Sequence, residues 1–537
     1  MTETVVSKNT SVSAFRRVAH SGELARFRDF LSDYMSGQFQ AALAECNGNG
    51  DMYAVGAAQR LRSLIGSTAN VRAFVNLQFG NPFGFILPFQ AGRLLELSLF
   101  PATIASFRFG LLITKLSIMR FIKALVFVLV ARDLPILQQK GRSICLIGIS
   151  ATVLNIGRND RSSHTLENWI RKNYVTESST IFHSVSVGLR SDTDDRFFVP
   201  NFLPLVPRHR KVWIIVKALL RCLTCIFDCF LGRWHKLFML DDWVYSEVFR
   251  VADESQIYDR YIFPFQGNQY RPNWSYIAEK KGALAVQLNY SANTVPSLDQ
   301  EYQDRDGLDT ATWNEIIPFS ESLVPFAKGK LGKHHLAPKV LKMPDVHYSD
   351  NSEIEIPDFE KPTIALFDVA PLDERFHVGC LDFHDYLETT ENGPGFFNRK
   401  FLTDVISVAK KHEVKVVIKP KRADPRVQQS YTDLLEKLEE DGEVSILQPD
   451  IAPSRLIAKC TAAIVTPFST VGYFRAKETQ ICFYDVAGKF DGQHETAMGR
   501  KIVSSYGELD EWVASLGGLK SLRESSSVLE ADGKCVK

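Results

Sequence analysis

The chain has 537 residues with 63 basic and 62 acidic side chains, a formal net charge of +1. Its hydrophobic content of 45% and charged content of 23% are those of a folded protein, and its length suits two or more domains. The near-neutral balance excludes a global field for nucleic acid, so phosphate recognition must be local. Nine scattered cysteines without an N-terminal secretory leader predict a reducing, cytoplasmic compartment.

Residues 1–140 are predicted to form a helical, membrane-proximal lead-in. Two apolar stretches, Gly110–Val130 and Val212–Leu231, come closest to membrane spans, but charges recur in both. Such stretches suit amphipathic helices that lie on an anionic membrane surface. Peripheral contact with the inner face of the cell membrane is therefore one expectation, and packing inside the N-terminal domain is the alternative. The charged residues are Lys115, Arg120, Lys123, Lys217, Arg221 and Asp228.

Buried strands alternate with helices over residues 141–330, which predicts a first domain built on a parallel sheet. The predicted strands are Ser143–Ser150, Thr180–Val187, Arg260–Phe265 and Ala283–Leu288. The predicted helices are Thr165–Lys172, Met239–Val251 and Trp274–Lys281.

A second alternation follows a connector of residues 331–362, in which four prolines interrupt any periodicity. It spans residues 363–518 and leaves a polar tail of 519–537. Its strands are predicted at Thr363–Val369, Val414–Ile418, Ala462–Val465 and Gln480–Tyr484. The fold class is therefore α/β, with two Rossmann-like domains facing across a cleft and a helical N-terminal extension.

Two turns in the second domain follow directly after predicted strands, so both should open on the carboxyl edge where such sheets bind ligands. One turn carries Lys419, Lys421 and Arg422, cations that can grip phosphate oxygens. The other offers Ser469 and Thr470 before a predicted helix over Val471–Lys477. A solvated basic loop and a simple helix N-cap are the alternatives. Together the turns predict a seat for a phosphorylated ligand.

Further polar residues follow strands in both domains. Asp368, Arg375, His377 and Asp485 could reach the ligand in the second domain. In the first domain, Gln266, Asn268, Tyr290 and Ser291 stand where an acceptor could bind.

A transfer reaction also needs a base that takes the acceptor's proton, and Asp253 or Glu254 is the candidate. The segment Asp192-Thr193-Asp194 does not follow a convincing strand, so no metal is predicted. No glycine-rich dinucleotide fingerprint and no P-loop is present, so no nicotinamide or ATP cofactor is predicted.

The motifs resemble those of bacterial polysaccharide-biosynthesis proteins named for a Pro-Phe-Thr-Ser motif. Thr466-Pro467-Phe468-Ser469-Thr470 is similar to the signature turn, with the two hydroxyl residues in swapped order. Similar motifs also surround Phe367-Asp368-Val369 and Lys419-Pro420-Lys421-Arg422. The segment Phe263–Asn268 resembles the family's N-terminal motif, with Gln266 where an acid is usual.

More distantly, the paired turns resemble those of bacterial sialyltransferases and capsule glycosyltransferases, which have the GT-B architecture. That resemblance implies an inverting, metal-free glycosyltransferase of surface polysaccharide assembly. Its donor would be a nucleotide sugar, its acceptor a glycan or a lipid-linked molecule. Lys421 stands where these enzymes carry histidine, so charge stabilisation is the catalytic role expected of it. A CDP-polyol-phosphate transferase and an inactive assembly or export factor are the alternatives.

Overall fold

The computed structural model divides the chain into two compact units, one holding the described residues up to 341 and the other those from 355 on. The domain boundaries expected from the sequence stay predictions. The structure describes residues 22–49, 52–65, 70, 73–74, 77, 81–130, 143–147, 180–184, 197–199, 202–230, 234–263, 270–289, 308–318, 321, 324–341, 355–368, 370–371, 395–420, 427–448, 451, 453–467, 469–473, 479–488 and 500–516.

A helical region opens the first unit, as the sequence predicts. Its helices are α1 (Gly22–Asn49), α2 (Tyr53–Ile65), α3 (Phe89–Leu94) and α4 (Leu99–Val130). The later helices of this unit are α5 (Arg208–Phe230), α6 (Trp234–Phe238), α7 (Leu240–Val251), α8 (Asn273–Lys280) and α9 (Val324–Lys330). None of the helices in the described ranges combines the length and apolar content needed to cross a membrane. The predicted helix over Thr165–Lys172 lies outside the described residues.

Seven of the described strands form the first sheet, which is parallel throughout and has the order β3-β2-β1-β4-β5-β6-β7. The four predicted strands are confirmed within the described residues. The seventh strand lies in the segment predicted as a connector. It pairs with β6, so the first sheet extends past residue 330. The strands are β1 (Ser143–Ile147), β2 (Thr180–Ser184), β3 (Phe197–Val199), β4 (Arg260–Phe263), β5 (Leu284–Leu288), β6 (Glu315–Ile317) and β7 (Lys339–Val340).

The second unit contains a sheet of six described strands, again parallel, with the order β10-β9-β8-β11-β12-β13. Its strands are β8 (Thr363–Phe367), β9 (Lys415–Ile418), β10 (Val444–Ile446), β11 (Ala462–Val465), β12 (Gln480–Tyr484) and β13 (Lys501–Val503). Its helices are α10 (Phe396–Lys411), α11 (Gln429–Glu440), α12 (Pro453–Lys459) and α13 (residues 506–516). Two Rossmann-like sheets are thus confirmed, and the cleft between them stays a prediction.

The central strands of the second sheet are buried along their whole length. All five residues of β8 and all four of β11 are buried. Alternate residues of these strands pack with Phe401, Val405 and Leu509 in one core. Strands covered on both faces read as continuous apolar runs, which is why the sequence predicts their positions well.

An aromatic cluster fills the core of the first unit. The Trp274 ring stacks on Phe249, with centroids 4.6 Å apart, and on Phe202 at 4.7 Å. Tyr261 of β4 meets the same indole edge-on at 4.9 Å. Because α7, α8 and β4 each contribute a ring, this cluster fixes the two helices on the sheet.

A buried ion pair joins α2 to α7. The Arg60 guanidinium donates to both carboxylate oxygens of Asp241, at 2.7 and 3.1 Å. It also lies over the Tyr270 ring, 4.3 Å from the centroid. Two parallel hydrogen bonds and a stacking contact fix α2 of the helical region in a specific position against α7.

The neighbouring carboxylate of Asp242 fixes the start of α8. It accepts hydrogen bonds from the backbone amides of Asn273 at 2.8 Å and Trp274 at 3.3 Å. The Tyr270 hydroxyl donates to the same group. Asp242 is fully buried, and burial raises its pKa to about 6. The carboxyl therefore holds a proton in the folded chain at a pH where an exposed aspartate has lost it.

The raised pKa of Asp242 predicts how stability changes with pH. Between about pH 4 and 6 the folded chain keeps a proton that the unfolded chain releases, so this group's contribution to the unfolding free energy falls as pH rises. The full shift corresponds to about 3 kcal/mol. We expect Asp242→Asn to flatten that slope in urea unfolding measured across this range. Asp253→Asn, at an exposed aspartate of the same unit, should leave it unchanged. A wild-type slope in Asp242→Asn would show that the carboxyl is ionised in the folded chain.

Candidate functional site

The order of the second sheet reverses between β8 and β11. From β8, the chain adds β9 and β10 on one side and then β11, β12 and β13 on the other. Ligands of such sheets bind outside the carboxyl ends of the strands at this switch point. The register pairs Phe367 with Val465, the last residues of β8 and β11. Asp368 and Thr466 therefore stand side by side on neighbouring strands at the switch point, where strands are spaced about 4.8 Å apart.

Thr466 extends the pairing of β11 with β8 by one residue, and its side-chain hydroxyl is buried. Its amide donates to the carbonyl of Phe367 at 3.1 Å. The side chain is 1% exposed, and its hydroxyl has no hydrogen-bond partner in the described part of the chain. Most buried polar groups are paired, so an orphan hydroxyl at a ligand-binding edge marks a position where a ligand atom could bind. Asp368 beside it is also buried.

Lys419 supplies a buried cation on the other side of β8. It follows the last residue of β9, and its amide donates to the Leu366 carbonyl at 3.3 Å. The side chain is 8% exposed. The register of β9 and β8 places Lys419 level with Phe367, one residue before Asp368, so a cation and a carboxylate both lie at this edge of the sheet. The other two cations of this turn, Lys421 and Arg422, lie outside the described residues.

The signature turn after Thr466 is tightly built. The Ser469 amide donates to the Thr466 carbonyl at 3.2 Å, and the Gly472 amide donates to the Ser469 carbonyl at 3.0 Å. The described residues Thr470–Tyr473 form a 3₁₀ turn, so the prediction of an α-helix starting at Val471 is wrong there. A Cβ on Gly472 would lie 2.2 Å from the Phe483 ring, so the turn approaches β12 too closely for any larger residue.

Asp485 occupies the next strand end, after β12. The residue is completely buried, and its amide donates to the Val503 carbonyl at 2.8 Å. It is one strand further from the switch point than Thr466. The structure thus brings Asp368, Lys419, Ser469 and Asp485 to one edge, and their role in ligand binding stays a prediction. Arg375 and His377 lie outside the described residues.

In the first sheet, the predicted acceptor residues Gln266, Asn268, Tyr290 and Ser291 all lie outside the described residues. The strand order there also reverses, between β1 and β4, and the segment with Gln266 and Asn268 follows β4 directly.

The two candidate bases lie at the wrong end of the first sheet. Asp253 and Glu254 precede β4, so they sit at its amino end, and both are exposed. Ligands of parallel sheets bind at the opposite, carboxyl end. The structure therefore argues against either residue as the catalytic base.

The residue that the sequence analysis did not single out is Thr466 itself. The sequence analysis predicts functional hydroxyls in the motif turn at Ser469 and Thr470 only. A signal was available, because Thr466 is the first residue after an apolar strand that ends at the carboxyl edge. The described residues contain no group of three histidine, cysteine or acidic side chains able to hold a metal ion.

Comparison with known proteins gives one family match. The family model described as polysaccharide biosynthesis PFTS motif protein matches residues 215–513. A search of curated proteins finds no match.

Several solved structures resemble the chain weakly. Anabaena Alr3699/HepE in complex with UDP-glucose is 11% identical, with a TM-score of 0.34 over 71% of this chain and 90% of that one. The UDP-GlcNAc 2-epimerase of Neisseria meningitidis bound to UDP-GlcNAc is 10% identical, with a TM-score of 0.36 over 70% and 90%. The lipopolysaccharide outer core galactosyltransferase WaaB in its apo form is 12% identical, with a TM-score of 0.34 over 69% and 88%. Likenesses this low carry no argument about the site.

The orphan hydroxyl predicts an unusual response to mutation. We expect Thr466→Val to leave the unfolding free energy unchanged or slightly higher, because the lost hydroxyl makes no hydrogen bond in the described structure. Thr479→Val is the matched control, since that buried hydroxyl donates to the Ile457 carbonyl at 2.8 Å. The control should cost about 1 kcal/mol in urea unfolding. An equal loss at both positions would show that the Thr466 hydroxyl is bonded within the protein.

Proposed function

The chain belongs to the polysaccharide biosynthesis PFTS motif family, whose model covers more than half of it, and we propose that it is a glycosyltransferase using a nucleotide-sugar donor. The observation that carries the proposal is the switch point of the second sheet. A buried lysine, a buried aspartate and an orphan threonine hydroxyl follow three adjacent strands there, namely Lys419, Asp368 and Thr466. Nucleotides bind at this position in Rossmann-like sheets.

The proposed chemistry needs positive charge at the donor. An acceptor hydroxyl oxygen attacks the anomeric carbon, the bond from that carbon to the phosphate oxygen breaks, and the phosphate leaves with the electron pair. Lys419, with Lys421 and Arg422 from the same turn, would stabilise this developing charge. Cations that are fixed before the reaction can do so without a metal, and a metal-free transfer therefore belongs to the proposal.

The hydroxyl-bearing turn would hold the donor's oxygens. The Thr466 hydroxyl is buried and available, and Ser469 is half-buried within the same turn. Asp368 and Asp485 are carboxylates that could accept from sugar hydroxyls. The acceptor, a glycan or a lipid-linked molecule, would bind to the first unit. An inverting outcome and a cytoplasmic location stay predictions.

One observation favours a second candidate, a non-catalytic factor of polysaccharide assembly or export. The only bases nominated in the first unit, Asp253 and Glu254, adjoin the amino end of β4, away from the ligand-binding edge. Such a factor would have kept the fold and lost both the base and the binding of nucleotide. A polyol-phosphate transferase with a CDP-linked donor is the neighbouring enzyme alternative.

A nucleotide panel separates the candidates. Ligands that bind only the folded chain raise its melting temperature. We expect UDP or CMP to raise it, as a sugar transferase requires, and this can be read from thermal unfolding of the full chain. Stabilisation by CDP alone would indicate the polyol-phosphate reaction. No stabilisation by any nucleotide would contradict the transferase and leave the assembly factor.

The phosphate-binding role of the basic turn predicts specific losses. We expect Lys419→Ala, Lys421→Ala and Arg422→Ala each to weaken binding of the nucleotide by more than about 1.5 kcal/mol, measured by calorimetry. Lys415→Ala is the matched control, because this exposed lysine starts the same strand at its other end. Circular dichroism should show an intact fold in all four. Unchanged affinity in both Lys421→Ala and Arg422→Ala would remove the phosphate site from this turn.

A further inference from the structure

Two helices of the first unit expose large apolar side chains instead of burying them. On α4 and α5 these residues are between 39% and 68% exposed. Most of them are three, four or seven positions apart, which is close to one or two helical turns, so each set forms a stripe along its helix. The two stripes together are called the apolar face. Its residues are Phe107, Leu111, Ile118, Ile122 and Leu129 on α4, and Val212, Val216, Leu219, Leu220, Leu223 and Phe227 on α5.

The opposite sides of both helices are already packed. Ala124 and Val128 of α4, Ile214 and Ala218 of α5, and Val248 of α7 belong to one buried cluster. The two helices also touch each other, so they lie side by side on α7. The apolar face therefore points away from the core. Contiguous exposed apolar surface of this kind marks a binding surface.

The charges on these helices identify the partner. Together α4 and α5 carry nine lysines and arginines and one aspartate, a net charge of +8, whereas the whole chain has +1. The single acid, Asp228, pairs with Lys236 at 2.9 Å. An apolar stripe bordered by basic residues fits a surface whose interior is hydrocarbon and whose rim is anionic.

The geometry suits a helix lying in the plane of a bilayer. With a rise of about 1.5 Å per residue, α5 is roughly 35 Å long and α4 roughly 48 Å. The exposed Trp213 ring lies under the Lys217 ammonium, 5.4 Å from its centroid. An indole beside a cation is typical of the headgroup level of a membrane.

A second copy of the chain is the other occupant that such a face could have. A two-fold interface brings the same surface of both copies together. Here it would oppose two helix pairs that each have a net charge of +8 and whose single acid, Asp228, is already paired in each copy, and like charges facing each other disfavour association. We propose that α4 and α5 dock the protein, by their apolar face, on the surface of a bilayer containing anionic phospholipids.

Vesicle flotation of the full chain tests this proposal without any activity measurement. We expect the protein to float with phosphatidylcholine vesicles that contain phosphatidylglycerol, more weakly at high salt, and not with phosphatidylcholine alone. Leu223→Glu should weaken binding about tenfold or more, since it places a charge where a leucine enters the hydrocarbon. Leu94→Glu is the matched control, because this leucine is equally exposed but lies in α3.

The electrostatic part has its own matched pair. Lys115 lies on the exposed side of α4, and Lys280 is an exposed lysine on α8. Removing one cation near an anionic surface should cost about fivefold in binding. We expect this loss in Lys115→Ala and none in Lys280→Ala.

Two results would overturn the proposal. One is failure of the wild-type chain to float with the anionic vesicles. The other is light scattering that shows a lipid-free dimer which Leu223→Glu converts to a monomer, because a second copy would then cover the apolar face. Circular dichroism of each variant verifies that binding losses do not come from unfolding.

Discussion

The geometry of the candidate site depends on one constraint, that the carboxyl ends of parallel strands meet at a single edge. In the second unit the chain adds strands first on one side of β8 and then on the other. The crossover connections on the two sides of β8 therefore run in opposite directions. No helix can cover the residues that follow β8 and β11, and a gap results between them. Asp368 and Thr466 occupy that gap because of topology, and the motif turn packs beside them because Gly472 has no Cβ to clash with the Phe483 ring.

The same constraint explains what the sequence could predict. Strands β8, β9, β11 and β12 are short apolar runs buried on both faces, so their positions follow from composition alone. That the two motif turns share an edge follows too, because both come directly after strands. The order of the strands in the sheet cannot be predicted in this way, because an apolar run does not indicate which other strand it will pair with. The switch point, and with it the importance of Thr466, became visible only in the structure.

Features set by distant contacts were beyond the sequence. The turn at Thr470–Tyr473 is 3₁₀, where local propensity suggested an α-helix, because Gly472 must fit against a ring on another strand. The Arg60–Asp241 pair joins residues 181 positions apart, and no local pattern could reveal it. Asp253 and Glu254 precede β4, and which end of a strand a residue adjoins follows only once the strand's bounds and direction are known.

The two apolar helices show the limit of periodicity itself. A helix with regularly spaced apolar residues has a defined apolar side, but spacing does not say whether that side faces the core or solvent. In α4 the buried side holds Phe109, Ile113 and Phe121 together with the small residues Ala102, Ala105, Ser117 and Ala124, and further large apolar residues point outwards. Small residues on the packed side let a helix approach its neighbours closely. Large apolar residues on the exposed side are not stabilised by contact with water. The helix is therefore apolar on its exposed side as well as on its buried side, unlike a surface helix in water. This agrees with the +8 charge of the same pair of helices, which the near-zero total conceals. A medium that is apolar inside and anionic at its rim satisfies both properties at once.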